Sequence, residues 1–223
     1  MSNVRNFSNI ENANAILNGQ EDCCDEFVEA FVNLHKEPID NAYMYDWLLR
    51  SIIDVVKTNH SVLYIACGTA GYTRLFKNVK RFVGVDFSKK MISAATKLNT
   101  NPEIRYDFEC NTFENFKSDE LFDVVYMGPY GHNVPYTAAV LEKAKKHIKD
   151  DGMIFCTISD PEFKGVYSRA KEFLKQLIYN QTFAYDPVAK LEKMLHKAEL
   201  HVYCNMRLKT SLGYAFCYIL KKS

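Results

Sequence analysis

Val62-Leu-Tyr-Ile-Ala-Cys-Gly-Thr-Ala-Gly-Tyr-Thr73 is the stretch whose reading decides the fold. Apolar, strand-forming residues run up to Ala66 and stop at a turn of small residues, and Tyr72 to Val79 then have a helix-compatible composition. Eighteen residues beyond Gly68, a second apolar run, Arg81-Phe-Val-Gly-Val-Asp86, ends in a carboxylate. Strand, small-residue loop, helix, strand and terminal acid describe a βαβ unit that binds a nucleoside.

The same alternation continues outward. Apolar runs predict strands over 62–66, 81–86, 103–108, 121–127 and 152–159, with helices over 70–79, 88–99 and 135–149 between them. Ser88 is placed to cap the second helix, since its hydroxyl can accept the orphan amides of the first turn. Asn99-Thr-Asn-Pro102 ends that helix, because the residue before proline avoids the α region. Asp150-Asp151-Gly152 reads as a turn before a buried strand. Strict alternation implies a parallel sheet with right-handed crossovers.

The last third breaks the rhythm. Helices over about 165–180 and 187–198 precede strands over 200–208 and 213–220, which Thr210-Ser-Leu-Gly213 joins. So short a link cannot make a parallel crossover, so these two strands are antiparallel neighbours. The expected architecture is α/β: a Rossmann-like, mostly parallel seven-stranded sheet with an antiparallel C-terminal hairpin and helices on both faces. Residues 1–20 are rich in Asn and Ser, and helical spacing takes over from Cys24 to Val56. Residues 1–60 are therefore expected to form an N-terminal arm and helical cap, and 61–223 the main domain, with 161–198 as a helical insertion.

Composition narrows the function classes. At 223 residues with 48% hydrophobic and 25% charged residues, the chain has the composition of a soluble globular protein. A net charge of +1 gives no general attraction to nucleic acid or anionic membranes. Lys143, Lys145, Lys146 and Lys149 read as a solvated helix face. No apolar run approaches the roughly 20 residues that span a bilayer. The polar start, Met1-Ser-Asn-Val-Arg-Asn6, lacks a signal-peptide core. Seven cysteines without CxxC spacing predict free thiols, a cytoplasmic location and no metal site. A small-molecule partner, with the chain as a monomer or homodimer, fits this balance.

Alone, Ala66-x-Gly68-x-x-Gly71 suits either a dinucleotide, whose pyrophosphate would sit on the helix N-terminus, or a nucleoside without phosphate. The motifs that follow add to it. Val62 to Thr73 resembles the loop motif VLDxGCGTGxxT of the class I S-adenosylmethionine-dependent methyltransferases. Val83-Gly-Val-Asp-Phe-Ser-Lys-Lys-Met-Ile92 is similar to their VGVDxSxxMI. Phe122-Asp-Val-Val-Tyr-Met-Gly-Pro-Tyr-Gly-His132 resembles their FDxV strand and the LGPLYH loop of small-molecule enzymes. Leu141 to Gly152 is similar to the segment written LxPGGxL. The set spans residues 62–158 in the family's order.

The resemblance implies S-adenosylmethionine as cofactor and methyl transfer to a small-molecule oxygen or nitrogen by in-line displacement, in which alignment and exclusion of water supply much of the acceleration. It puts Tyr64 where the family has an acid near the methionine ammonium, and Ala66, Cys67, Gly68, Thr69 and Gly71 against the methionyl chain. Asp86 would accept both ribose hydroxyls. Phe87 and Met91 would cover adenine, with Asn111, Thr112 and Phe113 along its edge. Met127 and Gly128 would floor the sulfonium site. Tyr64, Ala70 and Asn111 depart from the family pattern, with Gly71 beside Ala70 as a source of flexibility. His132 is the titratable candidate for a catalytic base and Tyr130 for steering the acceptor. Tyr43, Tyr45, Trp47 and Tyr130 would line the acceptor pocket. The alternatives are a catalytically silent binding subunit and an NAD-dependent oxidoreductase.

Overall fold

Continuous runs of Val, Ile, Phe and Tyr in the predicted strands require burial on both faces of the sheet. The computed structural model, which describes residues 28–29, 32, 60–71, 73, 76, 79–127, 138–159, 187–210 and 213–223, has that arrangement. Its elements are β1 (His60–Ile65), β2 (Val79–Asp86), α1 (Lys89–Leu98), β3 (Arg105–Cys110), β4 (Phe122–Met127), α2 (Ala138–Lys146), β5 (Ile148–Ser159), α3 (Pro187–Lys197), β6 (Leu200–Thr210) and β7 (Gly213–Lys222). They build one seven-stranded sheet in the order β3-β2-β1-β4-β5-β7-β6. β1 to β5 pair in parallel, and β7 lies antiparallel between β5 and β6. The expected architecture is therefore present, hairpin included. Among the described residues, no helix is long and apolar enough to cross a membrane.

Period-two alternation sorts the core into two layers. Leu63, Ile65, Val83, Val85, Val125, Met127, Ile154 and Cys156 face one side, where α2 contributes Val140, Leu141 and Ala144, and Leu195 of α3 joins them with Ala198 just beyond it. Val62, Tyr64, Phe82, Val124, Tyr126, Met153 and Phe155 face the other, where Ala95 of α1, Phe76 and Ile104 cover them. Phe76 stands edge-on to Phe82 at 5.3 Å, and Phe82 stacks on Tyr106 at 5.9 Å. Both layers lie beneath the carboxyl ends of the parallel strands, so the loops there rest on a rigid floor.

Ser88 caps α1 as expected, accepting from the Met91 amide at 3.2 Å. Most strand ends shift by one or two residues from the sequence reading, and the largest shift lies between α2 and β5. The helix over 135–149 ends at Lys146, and β5 already starts at Ile148. The Asp150-Asp151-Gly152 turn is absorbed into that strand as an irregularity, because Phe122 pairs with Ile148 and Val124 with Met153. The reason is local: the Phe122 amide bonds the His147 carbonyl at 2.8 Å and draws the chain into the sheet early. A Cβ on Gly152 would sit 3.0 Å from the Lys149 backbone, so any other residue would have to push that backbone aside by a few tenths of an ångström. The cap over residues 1–60 and the first helix of the 161–198 insertion lie outside the described residues, apart from helical Val28, Glu29 and Val32 and strand residue His60.

Candidate functional site

The site grows from the carboxyl edge of β1, β2, β3 and β4. Ile65 pairs with Val85 on one side and Met127 on the other, and Asp86 pairs with Cys110. The four strands therefore release their loops side by side.

The loop after β1 coils tightly. Ala66, Gly68 and Ala70 have φ of 51°, 53° and 52°, three left-handed residues spaced two apart. Glycine takes this region freely, whereas alanine bears a cost of about 1 kcal/mol or more at each such position. Sequence reasoning expected Gly71 to supply the flexibility missing at Ala70. The structure corrects this: Ala70 itself carries the positive φ, and Gly71 lies in a 3-10 turn. The helix expected over 70–79 likewise begins as 3-10 turns, with the Thr73 amide bonding the Ala70 carbonyl at 3.1 Å and the Phe76 amide the Thr73 carbonyl at 3.1 Å.

Asp86 is the hub. Its Oδ2 accepts from the Gly68 amide at 2.8 Å and its Oδ1 from the Ser88 amide at 2.9 Å. Its carbonyl accepts from the Asn111 amide at 2.9 Å. One buried residue thus joins the loop, the start of α1 and the segment after β3. Each carboxylate oxygen has lone pairs for more than one donor, so this role is compatible with ligand hydroxyls at the same oxygens. Ser88 and the α1 N-terminus favour negative charge at this point.

Gly84 underlies the loop. A Cβ there would come within 2.6 Å of the Phe108 ring and 3.0 Å of Cys67 Sγ. Sequence reasoning missed this position; the signal was a lone glycine inside a strand, which often marks close approach. Cys67 above it is buried, and its amide donates to the Val85 carbonyl at 3.1 Å. Burial, reinforced by the Asp86 charge, raises its thiol pKa well above the ordinary value. The thiol stays protonated at neutral pH and is no nucleophile.

The remaining candidates separate by environment. Phe87 is half-buried beside Asp86, and Met91 is buried under the start of α1. Thr69 is buried in the loop, and Met127 is buried at the end of β4. Tyr64 packs its ring on Tyr126, centroids 4.6 Å apart, on the α1 side of the sheet. Asn111 donates from Nδ2 to Glu109 at 2.8 Å and accepts at Oδ1 from the Thr112 amide at 2.9 Å. Thr112 starts the next turn, its carbonyl accepting from the Phe116 amide at 3.0 Å. Phe113 faces the opposite core layer, 6.2 Å from the His147 ring and under Lys143 Nζ at 5.1 Å. Gly128, Tyr130 and His132, like Tyr43, Tyr45 and Trp47, lie outside the described residues. Among the described residues, no group of His, Cys, Asp and Glu is arranged to hold a metal ion.

Residues 62–152 match the family model of a methyltransferase domain. Among solved structures, the chain is similar to the plantazolicin methyltransferase BpumL in complex with a pentazolic desmethylPZN analogue and SAH. The two are 17% identical with a TM-score of 0.64, over 89% of this chain and 91% of that one. It is also similar to N-methyltransferase NodS from Bradyrhizobium japonicum WM9 in complex with S-adenosyl-L-homocysteine. There the identity is 12% and the TM-score 0.62, over 85% of this chain and 90% of that one. A third likeness is an S-adenosylmethionine-dependent methyltransferase from Clostridium acetobutylicum, 14% identical with a TM-score of 0.59, over 87% of this chain and 98% of that one. No curated protein sequence matches at a significant level.

Proposed function

We propose that residues 62–152, which match a methyltransferase domain, form an S-adenosylmethionine-dependent methyltransferase of the class I type, and that the protein methylates an oxygen or nitrogen of a small molecule. The observation that carries the proposal is the Asp86 hub, set beside the coiled 66–71 loop at the carboxyl edge of the sheet. Such an edge is where open α/β sheets take their ligands.

In the proposed complex Asp86 keeps its two amide bonds and accepts the ribose hydroxyls, while Phe87 and Met91 cover the adenine. Ala66 to Thr69 pass beneath the methionyl chain, and Met127 closes the floor. The leaving group is a neutral thioether, so the chain's task is to align the acceptor and exclude water. His132 would take the acceptor proton and Tyr130 would steer it. The net charge of +1 supports a small acceptor over nucleic acid. The likeness to BpumL, a plantazolicin methyltransferase, and to NodS, an N-methyltransferase, supports methyl transfer.

The strand order, with antiparallel β7 inserted between β5 and β6, argues against a dinucleotide oxidoreductase, whose mostly parallel doubly wound sheet runs 3-2-1-4-5-6. A silent binding subunit draws support from Tyr64, packed on Tyr126, and from Asn111, engaged with Glu109 and Thr112. Calorimetry with S-adenosylmethionine and S-adenosylhomocysteine tests the leading reading, for which micromolar binding of both is expected. No heat from either at high micromolar concentration would end it. Methyl transfer to any acceptor by the isolated chain would remove the silent-subunit reading, and loss of that transfer in His132→Ala at unchanged cofactor affinity would support the base.

A further inference from the structure

Ala70 is fully buried in a conformation that alanine disfavours, and the two peptide groups flanking it are both captured. The carbonyl before its φ bond, that of Thr69, accepts from Asn99 Nδ2 at 3.3 Å. The carbonyl after its ψ bond, its own, accepts from Thr73 Oγ1 at 2.8 Å. Fixing both peptide planes fixes φ and ψ of the residue between them.

The two captors are themselves joined. Thr73 Oγ1 also meets Asn99 Oδ1. Asn99 Nδ2 donates a second bond to the Ala95 carbonyl at 2.8 Å, which ties it to the last turn of α1. The Tyr106 hydroxyl on β3 hydrogen-bonds Thr73. Thr73 is 1% exposed, so these bonds are shielded from water. The loop is thereby braced against α1 and β3.

We propose that Thr73 and Asn99, backed by Tyr106, are positioning residues that hold the 66–71 loop in its ligand-ready coil where the family pattern would have a glycine at position 70. The inference rests on the reading of that loop as the S-adenosylmethionine site. It predicts an asymmetry: the network is needed because residue 70 is alanine, and it becomes dispensable when residue 70 is glycine.

The experiment uses the full chain as Thr73→Val and Asn99→Ala, each alone and combined with Ala70→Gly. Affinity for S-adenosylhomocysteine is read by calorimetry, and exchange of the Gly68 and Ala70 amides by NMR without ligand. Each single variant is expected to weaken binding about fivefold and speed exchange about tenfold, the size of one or two buried hydrogen bonds. Adding Ala70→Gly is expected to return both to within about twofold of the Ala70→Gly chain, since glycine takes the left-handed region unaided. A general loss of stability would not be rescued in this way. Wild-type affinity and exchange in the single variants would overturn the proposal, as would losses that Ala70→Gly leaves unchanged. If the wild-type chain binds no S-adenosylhomocysteine, the methyltransferase reading fails instead, and the exchange rates still decide the network.

Discussion

The two ends of the parallel sheet are each fastened by an aspartate, and the two fastenings differ. At the amino end, Asp123 of β4 accepts from the Ser61 amide at 2.8 Å and the Ser61 hydroxyl at 3.0 Å, and pairs with Lys149 at 2.9 Å. Burial alone would raise its pKa, but the Ser61 amide, Lys149 and the Ser61 hydroxyl outweigh that and hold it below the ordinary value. At the carboxyl end, Asp86 binds the Gly68 and Ser88 amides, in a loop coiled by residues at positive φ. One clamp joins strands to strands with its charge matched by a lysine. The other shapes a loop and points a carboxylate at the edge where ligands enter. The same side chain thus ties strands at one end and shapes a loop at the other, where the proposed function would use it for recognition.

The sharpest way to break this contrast is to remove each aspartate. Asp86→Ala is expected to lower S-adenosylhomocysteine affinity by about a hundredfold, the worth of two charge-assisted bonds, as read by calorimetry. Asp123→Ala is expected to leave affinity within about twofold and to cost about 2 kcal/mol in urea unfolding. Equal effects of both on affinity would erase the distinction.

Gly84→Ala tests the floor of the loop. The added methyl collides with Phe108 and Cys67, so a loss of about 1–3 kcal/mol of unfolding free energy in denaturant titration is expected, typical of overpacking.

Acid should separate groups by pH. His147 is buried between Phe113 and Phe116, and its Nδ1 has no hydrogen-bond partner among the described residues. Burial, then the nearby Lys143 charge, lowers its pKa from 6.5. The unfolded chain therefore binds this proton first, and stability present above the unfolded pKa falls as pH drops below 6.5 toward the lower folded value. Asp123, lowered from 3.8, keeps its contribution until pH falls through that value and below. Melting temperature between pH 7.5 and 5.5 should fall less in His147→Leu than in the wild type. Equal slopes would show that His147 does not set the first window.

The smallest expected effect is a gain. Ala66→Gly removes one left-handed alanine at the price of a freer unfolded chain, and the net is about 0.5 kcal/mol of stabilisation by thermal melting.

Much of this was legible in order and spacing. Strand-loop-strand-acid over 62–86 fixes two neighbouring strands and the hub between them, and a link as short as Thr210 to Gly213 forces an antiparallel hairpin. Boundaries were less legible where one hydrogen bond decides them, as the Phe122 amide does in drawing Ile148 into the sheet. Side-chain direction was least legible. Phe113, expected at the adenine edge, is buried in the core layer beside His147, a long-range contact that its neighbours in sequence do not announce.

By itself the sequence determined the sheet, the family resemblance and the importance of Asp86, because periodicity and motif order are properties of neighbours along the chain. Only the tertiary structure decided that Ala66 and Ala70 adopt glycine-like angles, that Gly84 makes room for Phe108, and that Asn99 reaches Thr69. Those facts depend on which distant residues meet, through packing and hydrogen bonds that override the preference of each residue taken alone.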